Sequence, residues 1–127
     1  MKARTTSGRE IDLKQETLDG LKMRLRGPVL VPGDGGYDES RTVWNAMIDR
    51  KPAVVARCIG VLDVIACVLF AREHKLLLCI KGADHNIAGL ATADGAMMLD
   101  MSLMRGVWVD TQGKVAHAQA GGGASRL

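Results

Sequence analysis

The stretch that decides the fold is Ala53–Ile80, which reads AVVARCIGVLDVIACVLFAREHKLLLCI. Its first part, Ala53–Cys58, is a mostly apolar run that predicts a buried strand, and Leu76–Ile80 is a second apolar run of strand length. Between them, Leu62–His74 predicts a helix, with an acid in its first turn and bases near its last, as the helix dipole favours. This order indicates a β-α-β unit whose parallel strands are buried on both faces.

The residues before this unit predict two helices and one short extended piece. Apolar positions at helical spacing predict a helix within Ile11–Leu25 and another at about Asp38–Arg50, which ends before Pro52. Val29–Pro32 is expected to be extended. Residues 1–9 are small and polar without a period, so we expect a disordered leader.

The residues after the unit predict the first strands of a larger sheet. A glycine-containing loop over Lys81–Gly95 leads to a predicted strand at Ala96–Asp100. Gly106–Val109 and Val115–Ala120 predict an antiparallel hairpin around the turn at Asp110–Gly113. The expected class is therefore α/β (α+β), a small β-α-β unit with flanking helices that leads into a mixed sheet.

The composition argues against two classes of partner. Seventeen Lys and Arg residues against fourteen Asp and Glu leave a net charge of +3, and aromatic residues make up 3%. So mild a charge, with so few aromatic side chains for base stacking, is not typical of nucleic-acid binders. No stretch reaches the roughly 18–20 apolar residues of a membrane-spanning helix. We therefore expect neither nucleic acid nor a membrane as a partner.

The cysteine pattern favours a reducing, cytoplasmic location. Cys58, Cys67 and Cys79 form no C-x-x-C pair, and an odd number leaves one thiol out of any disulfide scheme. All three lie in apolar stretches, so we expect small buried side chains rather than reactive or metal-bound thiols. The clustered methionines are likewise expected in the core: Met97, Met98, Met101 and Met104.

The loop Lys81–Gly89 is the most informative segment for chemistry. Ligands of α/β sheets gather beyond the carboxyl ends of parallel strands, and glycine-bearing loops can point several backbone N–H groups at one anion. Lys81 adds a cation at the mouth of the loop, and His85 and Asn86 add polar groups in its middle. From spacing alone, the alternative is a structural turn with a solvent-facing histidine. The histidines share no helical face, so no metal site is expected.

A series of separated positions, in order along the chain, resembles one enzyme family. The positions are Arg26–Val29, Pro32–Asp34, Tyr37–Asp38, Trp44–Asn45, Asp49–Arg50, Pro52–Ala53, Arg57–Cys58, Asp63–Ile65, Phe70–Glu73, Gly82, His85–Gly89, Asp94–Gly95, Asp100–Ser102 and Val107–Asp110. Together they resemble the N-terminal part of FAD-linked oxidases of the vanillyl-alcohol oxidase and p-cresol methylhydroxylase (PCMH) type, in particular the bacterial berberine-bridge-enzyme-like branch. The resemblance extends from about residue 25 to the end of the chain.

This resemblance implies a domain division and a cofactor. It identifies residues 1–27 as an N-terminal leader and helix, and residues 28–127 as the N-terminal, truncated part of a PCMH-type FAD-binding domain. In this family the loop after the second parallel strand wraps the FAD diphosphate, and its histidine is bonded to the 8α-methyl carbon of the isoalloxazine. His85 would take that covalent role, and the loop positions around the diphosphate fall on Lys81, Gly82, Ala83, Asp84, Asn86 and Gly89.

Three departures from the family loop, which usually reads Arg-Gly-Gly-Gly-His, bear on flavin affinity. Lys81 replaces an arginine and so loses the planar fork that binds phosphate through two bonds. Ala83 and Asp84 replace two glycines. At ~4 Å the Asp84 carboxylate would repel a phosphate charge by about 1 kcal/mol in water and about 4 kcal/mol at an effective dielectric constant of 20. Either Asp84 points away from the phosphates, or affinity is reduced.

The chain ends just after a glycine run at 121–123, which suggests a fragment or a truncated gene product. The family's substrate domain and catalytic base would lie beyond residue 127, so no catalytic residue is assigned, and a small-molecule substrate is expected only in a full-length context. Two alternatives stay open. One is an inactive remnant with weak or no flavin binding, and the other is a small binding module that uses the helix face of Trp44 and Met47.

Overall fold

The structure of the chain, a computed structural model, describes residues 1–41, 49–82, 93–104 and 106–118. The helices and strands within these residues are β1 (Lys2–Arg4), β2 (Glu10–Asp12), α1 (Gln15–Arg24), β3 (Val29–Leu30), α2 (Tyr37–Arg41), β4 (Val54–Arg57), α3 (Val61–Glu73), β5 (Leu78–Lys81), β6 (Met97–Asp100), β7 (Val107–Asp110) and β8 (Val115–Ala118). The strand-helix-strand order predicted from Ala53–Ile80 is confirmed as β4, α3 and β5.

A four-stranded mixed sheet forms the centre of the fold, in the order β3-β4-β6-β5. The strands β4, β6 and β5 run parallel, and β3 pairs antiparallel with β4. The predicted parallel orientation of β4 and β5 is confirmed, but the two strands are not neighbours, because β6 lies between them. Every residue of β6 is buried, because helices cover both faces of this interior strand of the sheet.

Side chains that alternate along the strands build two hydrophobic cores. Val54 and Leu99 pack in one core with side chains of α1 and α3. Val55 and Met98 pack on the opposite face of the sheet with Tyr37 of α2. The sheet therefore lies between a layer formed by α1 and α3 and the short helix α2.

The strand β5 lies at an edge of this sheet and is less buried than predicted. Its Ile80 side chain is 54% exposed, whereas Cys79 and Lys81, which point to the other face, are buried. The prediction that both strands of the unit are covered on both faces is therefore wrong for β5. The reason is the insertion of β6 next to β4, which leaves β5 at the edge of the sheet.

The expectation of a disordered leader over residues 1–9 is wrong. The strands β1 and β2 form an antiparallel pair in which Ala3 is 2% exposed. Arg4 joins this pair to the rest of the fold, because its N–H donates to Gly95 O at 2.8 Å and its carbonyl accepts the N–H of Leu77 at 2.8 Å. Backbone pairing rather than an apolar pattern holds this segment in place. The sequence therefore shows no hydrophobic period from which the two strands could be predicted.

The two N-terminal helices differ in extent from their predictions. The first begins at Gln15, because Ile11 belongs to β2. The second is helical over Tyr37–Arg41, and Asp49–Arg50 is not helical, since the chain there approaches the proline at 52. Residues 42–48, which carry the apolar face predicted for this helix with Trp44 and Met47, lie outside the described residues.

The three cysteines and three of the four clustered methionines are buried, as predicted, whereas Met101 is partly buried. The cysteines are free and buried, and Cys58 Sγ is 4.0 Å from Cys67 Sγ. Burial raises the pKa of the Cys79 thiol to about 11, which keeps it protonated and unreactive at neutral pH. The methionines that are 5% exposed or less are Met97, Met98 and Met104.

The predicted C-terminal hairpin is confirmed, with β7 and β8 paired antiparallel. Side chains from both sides of the predicted domain boundary between residues 27 and 28, such as Leu21 and Val29, share one core, and the boundary itself stays a prediction.

Among the helices in the described part of the chain, none has the length and apolar character needed to cross a bilayer.

Candidate functional site

The carboxyl ends of the three parallel strands meet at one edge of the sheet, the position where ligands bind in α/β folds. The last residues of these strands are Arg57 in β4, Asp100 in β6 and Lys81 in β5, and they lie side by side in register. Strand alternation directs all three toward the face that carries α2. We call these three residues the charged row, since two cations flank one anion.

The centre of the charged row is a buried carboxylate. The Asp100 side chain is 1% exposed; its Oδ2 accepts the Nε–H of Arg57 at 3.1 Å, and its Oδ1 accepts the N–H of Ser102 at 3.0 Å. A buried carboxylate is tolerated only when it is paired and hydrogen-bonded. Asp100 therefore holds the Arg57 guanidinium, which is 29% exposed, at the open side of the edge.

Lys81 lies deeper in the protein than expected for a cation at the mouth of a loop. It is 6% exposed, and its Nζ donates to the backbone carbonyl of Ser40 at 2.9 Å. Ser40 belongs to α2, which is described over Tyr37–Arg41. The Lys81 ammonium therefore ties the start of the loop to α2 and keeps its positive charge at the edge of the sheet.

Two of the predicted site residues fall within the described structure. Lys81 and Gly82 are consecutive at the carboxyl edge, and Gly82 is partly exposed. The remaining predicted site residues lie outside the described residues: Ala83, Asp84, His85, Asn86 and Gly89. Their predicted roles stay predictions.

Because β5 and β6 are parallel, the residues that lead into β6 lie at the edge of the sheet opposite to Gly82. At that edge Asp94 Oδ1 accepts the N–H of Lys51 at 2.7 Å, and the N–H of Gly95 donates to Lys51 O at 3.0 Å. Gly95 has a φ of +72°, a conformation that glycine adopts without strain. The loop is thus fixed at its start through Lys81 and at its end through Lys51.

The groups at the carboxyl edge fit an anionic diphosphate. The two cations of the charged row outnumber its one carboxylate, so the edge is net positive where the glycine-containing loop begins. Positive charge and successive backbone N–H groups are what a phosphate group needs. Within the described ranges, no group of three His, Cys, Asp or Glu side chains could hold a metal ion.

Sequence reasoning missed the role of Asp63, which it assigned only to the helix dipole. The Asp63 carboxylate is 2% exposed and accepts the backbone N–H groups of Arg26 at 2.9 Å, Gly27 at 3.0 Å and Ile59 at 3.1 Å. Burial opposes the charged form, but these three hydrogen bonds outweigh it and lower the pKa of Asp63. The residue therefore fixes the segment before β3 to the end of β4. The sequence offered one signal of this role: Asp63 is among the positions that match the family in order along the chain.

The part of the chain that contains the charged row is similar to known proteins. A family model described as an FAD binding domain matches residues 52–127. (R)-6-hydroxynicotine oxidase of Paenarthrobacter nicotinovorans is 34% identical over 101 residues, which is 80% of this chain and 22% of the relative. The chain spans about a fifth of the length of the curated relatives it matches.

Solved structures show the same architecture. The crystal structure of 6-hydroxy-D-nicotine oxidase from Arthrobacter nicotinovorans matches with a TM-score of 0.68 and 34% identity, over 72% of this chain and 20% of that one. Xylooligosaccharide oxidase from Myceliophthora thermophila C1 matches with a TM-score of 0.71 and 25% identity, over 84% of this chain and 22% of that one. Both matches are with small portions of larger proteins.

Proposed function

Since this chain belongs to the FAD-binding domain family of FAD-linked oxidases, we propose that it acts as the N-terminal portion of an oxidase-type, FAD-dependent oxidoreductase. The family resemblance and the α/β fold expected from the sequence are both confirmed, and FAD is the cofactor. Oxidation of a small-molecule substrate is proposed only for a longer protein, because the chain spans about a fifth of its relatives.

The observation that carries the proposal is the charged row. Arg57 and Lys81 concentrate positive charge at the carboxyl edge of the sheet, and Gly82 begins the loop at that point. We propose that the backbone N–H groups of Lys81–Gly89 hold the diphosphate of FAD. Arg57 and Lys81 then contribute the electrostatic field, and Lys81 also keeps the start of the loop in place through Ser40.

The redox chemistry is supplied by FAD when it is bound, whereas the contribution of this chain is to hold and orient it. His85 is the proposed covalent anchor for the isoalloxazine. The proposal is supported by the place of this histidine in the ordered family matches and by the anchoring of both ends of its loop, through Lys81 and Lys51.

Replacing the anchor, His85→Ala, is expected to abolish covalent flavin attachment. Each protein is refolded with FAD and precipitated with acid, and the visible absorbance of the pellet is measured. We expect a yellow pellet from the unchanged chain and from the control His117→Ala, whose imidazole is exposed on β8. We expect a colourless pellet from His85→Ala. Colourless pellets from all three proteins would reject covalent attachment.

Removing a negative charge from the loop, Asp84→Asn, is expected to tighten non-covalent FAD binding. A repulsion of about 1 kcal/mol at ~4 Å in water corresponds to roughly fivefold in the dissociation constant. Flavin fluorescence titrations in the His85→Ala background measure this affinity, with Glu16→Gln on the exposed side of α1 as the control. Equal affinities would place Asp84 away from the phosphates. Failure of every variant to bind FAD would favour the inactive remnant.

A reducing, cytoplasmic location is also part of the proposal. It is supported by the three free, buried cysteines, which need no oxidising compartment.

A further inference from the structure

The outer face of α3 is apolar although it is exposed. Its inner face packs in the core through Cys67, Phe70 and Ala71. The outward-facing side chains recur at helical spacing and form what we call the apolar stripe: Val61 at 65% exposure, Leu62 at 72%, Ile65 at 49%, Val68 at 42% and Leu69 at 54%. No charged residue interrupts the stripe between Val61 and Leu69, because the one acid in this range, Asp63, is buried.

The size of the apolar stripe marks it as an interaction surface. Its five side chains expose roughly 500 Å², at the upper end of what the largest patch on a typical monomer covers. Surface helices normally place charged or polar side chains on their outer face. The outward positions of α1 follow that rule, with Lys22 and Arg24 beside a single apolar residue, Met23.

We propose that the apolar stripe binds a second copy of this chain, with the two α3 helices antiparallel across a twofold axis near Ile65. A twofold interface uses the same patch on both copies, so a single apolar surface is enough to form it. The antiparallel arrangement puts Val61 and Leu62 of one copy beside Val68 and Leu69 of the other.

The area of this surface matches what a dimer requires. Ile59 and Ile80, which are 46% and 54% exposed, lie at its margins, Ile59 just before α3 and Ile80 on the face of β5 that α3 covers. With these two side chains, the exposed apolar area of each copy totals roughly 600–700 Å², so complete coverage would bury about 1,200–1,400 Å² in the pair, at the lower limit of specific interfaces.

The surface beside the apolar stripe can receive a side chain from the second copy. An apolar depression of about 350 Å³ lies next to the C-terminal half of α3. Its lining includes the apolar side chains Val68, Leu76 and Leu78, together with Arg72 and Lys75. In the antiparallel arrangement, this depression faces the N-terminal half of the other α3, where Leu62 is the most exposed side chain of the stripe.

The dimer is tested by the molar mass of the full chain in solution. Light scattering after size exclusion of the full chain, at about 10–100 μM, is expected to give twice the 13.6 kDa chain mass. Leu62→Glu is expected to weaken dimerisation by at least about 100-fold, since the substitution enters the interface twice. The control Met23→Glu places the same charge on α1, at a side chain that is 88% exposed, and is expected to leave the mass unchanged.

Cross-linking tests the position of the axis without destabilising the fold. Ile65→Cys is expected to form an intermolecular disulfide under mild oxidation, whereas Met23→Cys is not, because only a residue near the twofold axis meets its own copy. Far-UV circular dichroism confirms that each variant is folded. A monomeric mass at every concentration, as expected if another part of a longer polypeptide covers the stripe, would overturn the proposal. Equal effects of Leu62→Glu and Met23→Glu would also overturn it.

Discussion

Gly27→Ala is expected to prevent stable folding. A Cβ atom at this position would lie 1.7 Å from the backbone carbonyl oxygen of Arg57 and 2.9 Å from its carbonyl carbon. Neither segment can move aside, because the N–H of Arg57 donates to Pro28 O at 2.8 Å and the N–H of Gly27 donates to Asp63 at 3.0 Å. We expect a loss of at least about 4 kcal/mol, most of the stability that a small domain has.

The matched control for this change is Gly20→Ala in α1. No atom lies within 4 Å of a Cβ built at Gly20, and alanine favours a helix interior over glycine by about 0.5–1 kcal/mol. Urea unfolding followed by far-UV circular dichroism should therefore show a higher midpoint for Gly20→Ala and little or no folded baseline for Gly27→Ala. An unchanged midpoint for Gly27→Ala would contradict the close approach of these two segments.

The elements that the sequence predicted best are those with a strong local pattern. The strand β4, the helix α3 and the strand β5 come from one nearly continuous apolar stretch, Ala53–Ile80, whose charged residues sit where helix ends favour them. Each boundary was recovered to within about two residues, the normal scatter of helix and strand ends. Local periodicity was sufficient there because the residues that decide each element are its own.

The features that the sequence did not predict, among them the place of the predicted strand β6 in the sheet, depend on distant partners. The place of β6 between β4 and β5 is decided by pairing across the sheet, which no run of apolar residues specifies. The hairpin of β1 and β2 has polar, three-residue strands, and it is held by backbone bonds from Arg4 to Leu77 and Gly95. Backbone contacts of this kind leave no periodic pattern of apolar side chains, so they cannot be predicted from the sequence.

The same distinction applies to the candidate site. Lys81 and Gly82 were found because they follow a recognisable strand, and the rule about carboxyl ends of parallel strands applies to any such loop. The ion pair of Arg57 with Asp100 joins residues 43 positions apart and exists only through the strand register. The inward turn of Lys81 toward Ser40 follows from the alternation of β5, since Cys79 points to the same core.

Substitution of Asp63 is expected to have the other large effect on stability, because its carboxylate accepts hydrogen bonds from three backbone N–H groups. Asp63→Asn removes the negative charge and turns an amide N–H₂ toward donors that need an acceptor. We expect a cost of about 3 kcal/mol at neutral pH, because buried backbone groups lose charge-assisted partners. The control Asp19→Asn, on the exposed face of α1, is expected to change stability by less than about 0.5 kcal/mol.

The cost of Asp63→Asn is expected to depend on pH in a defined direction. Burial, the largest single effect, raises the pKa of Asp63, but the hydrogen bonds from the N–H groups of Arg26, Ile59 and Gly27 together outweigh it. The pKa of Asp63 in the folded state therefore lies below its ordinary value of 3.8. A lowered folded pKa stabilises the fold above the unfolded pKa, and this contribution is lost as pH falls through the folded value. Urea midpoints should therefore run parallel for the two proteins from pH 7 to about pH 4, and below the unfolded value of 3.8 they should fall more steeply for the unchanged chain than for Asp63→Asn, so that the two curves approach each other in acid. Curves that stay parallel below this value would show that the carboxylate is not charged where these three N–H groups meet.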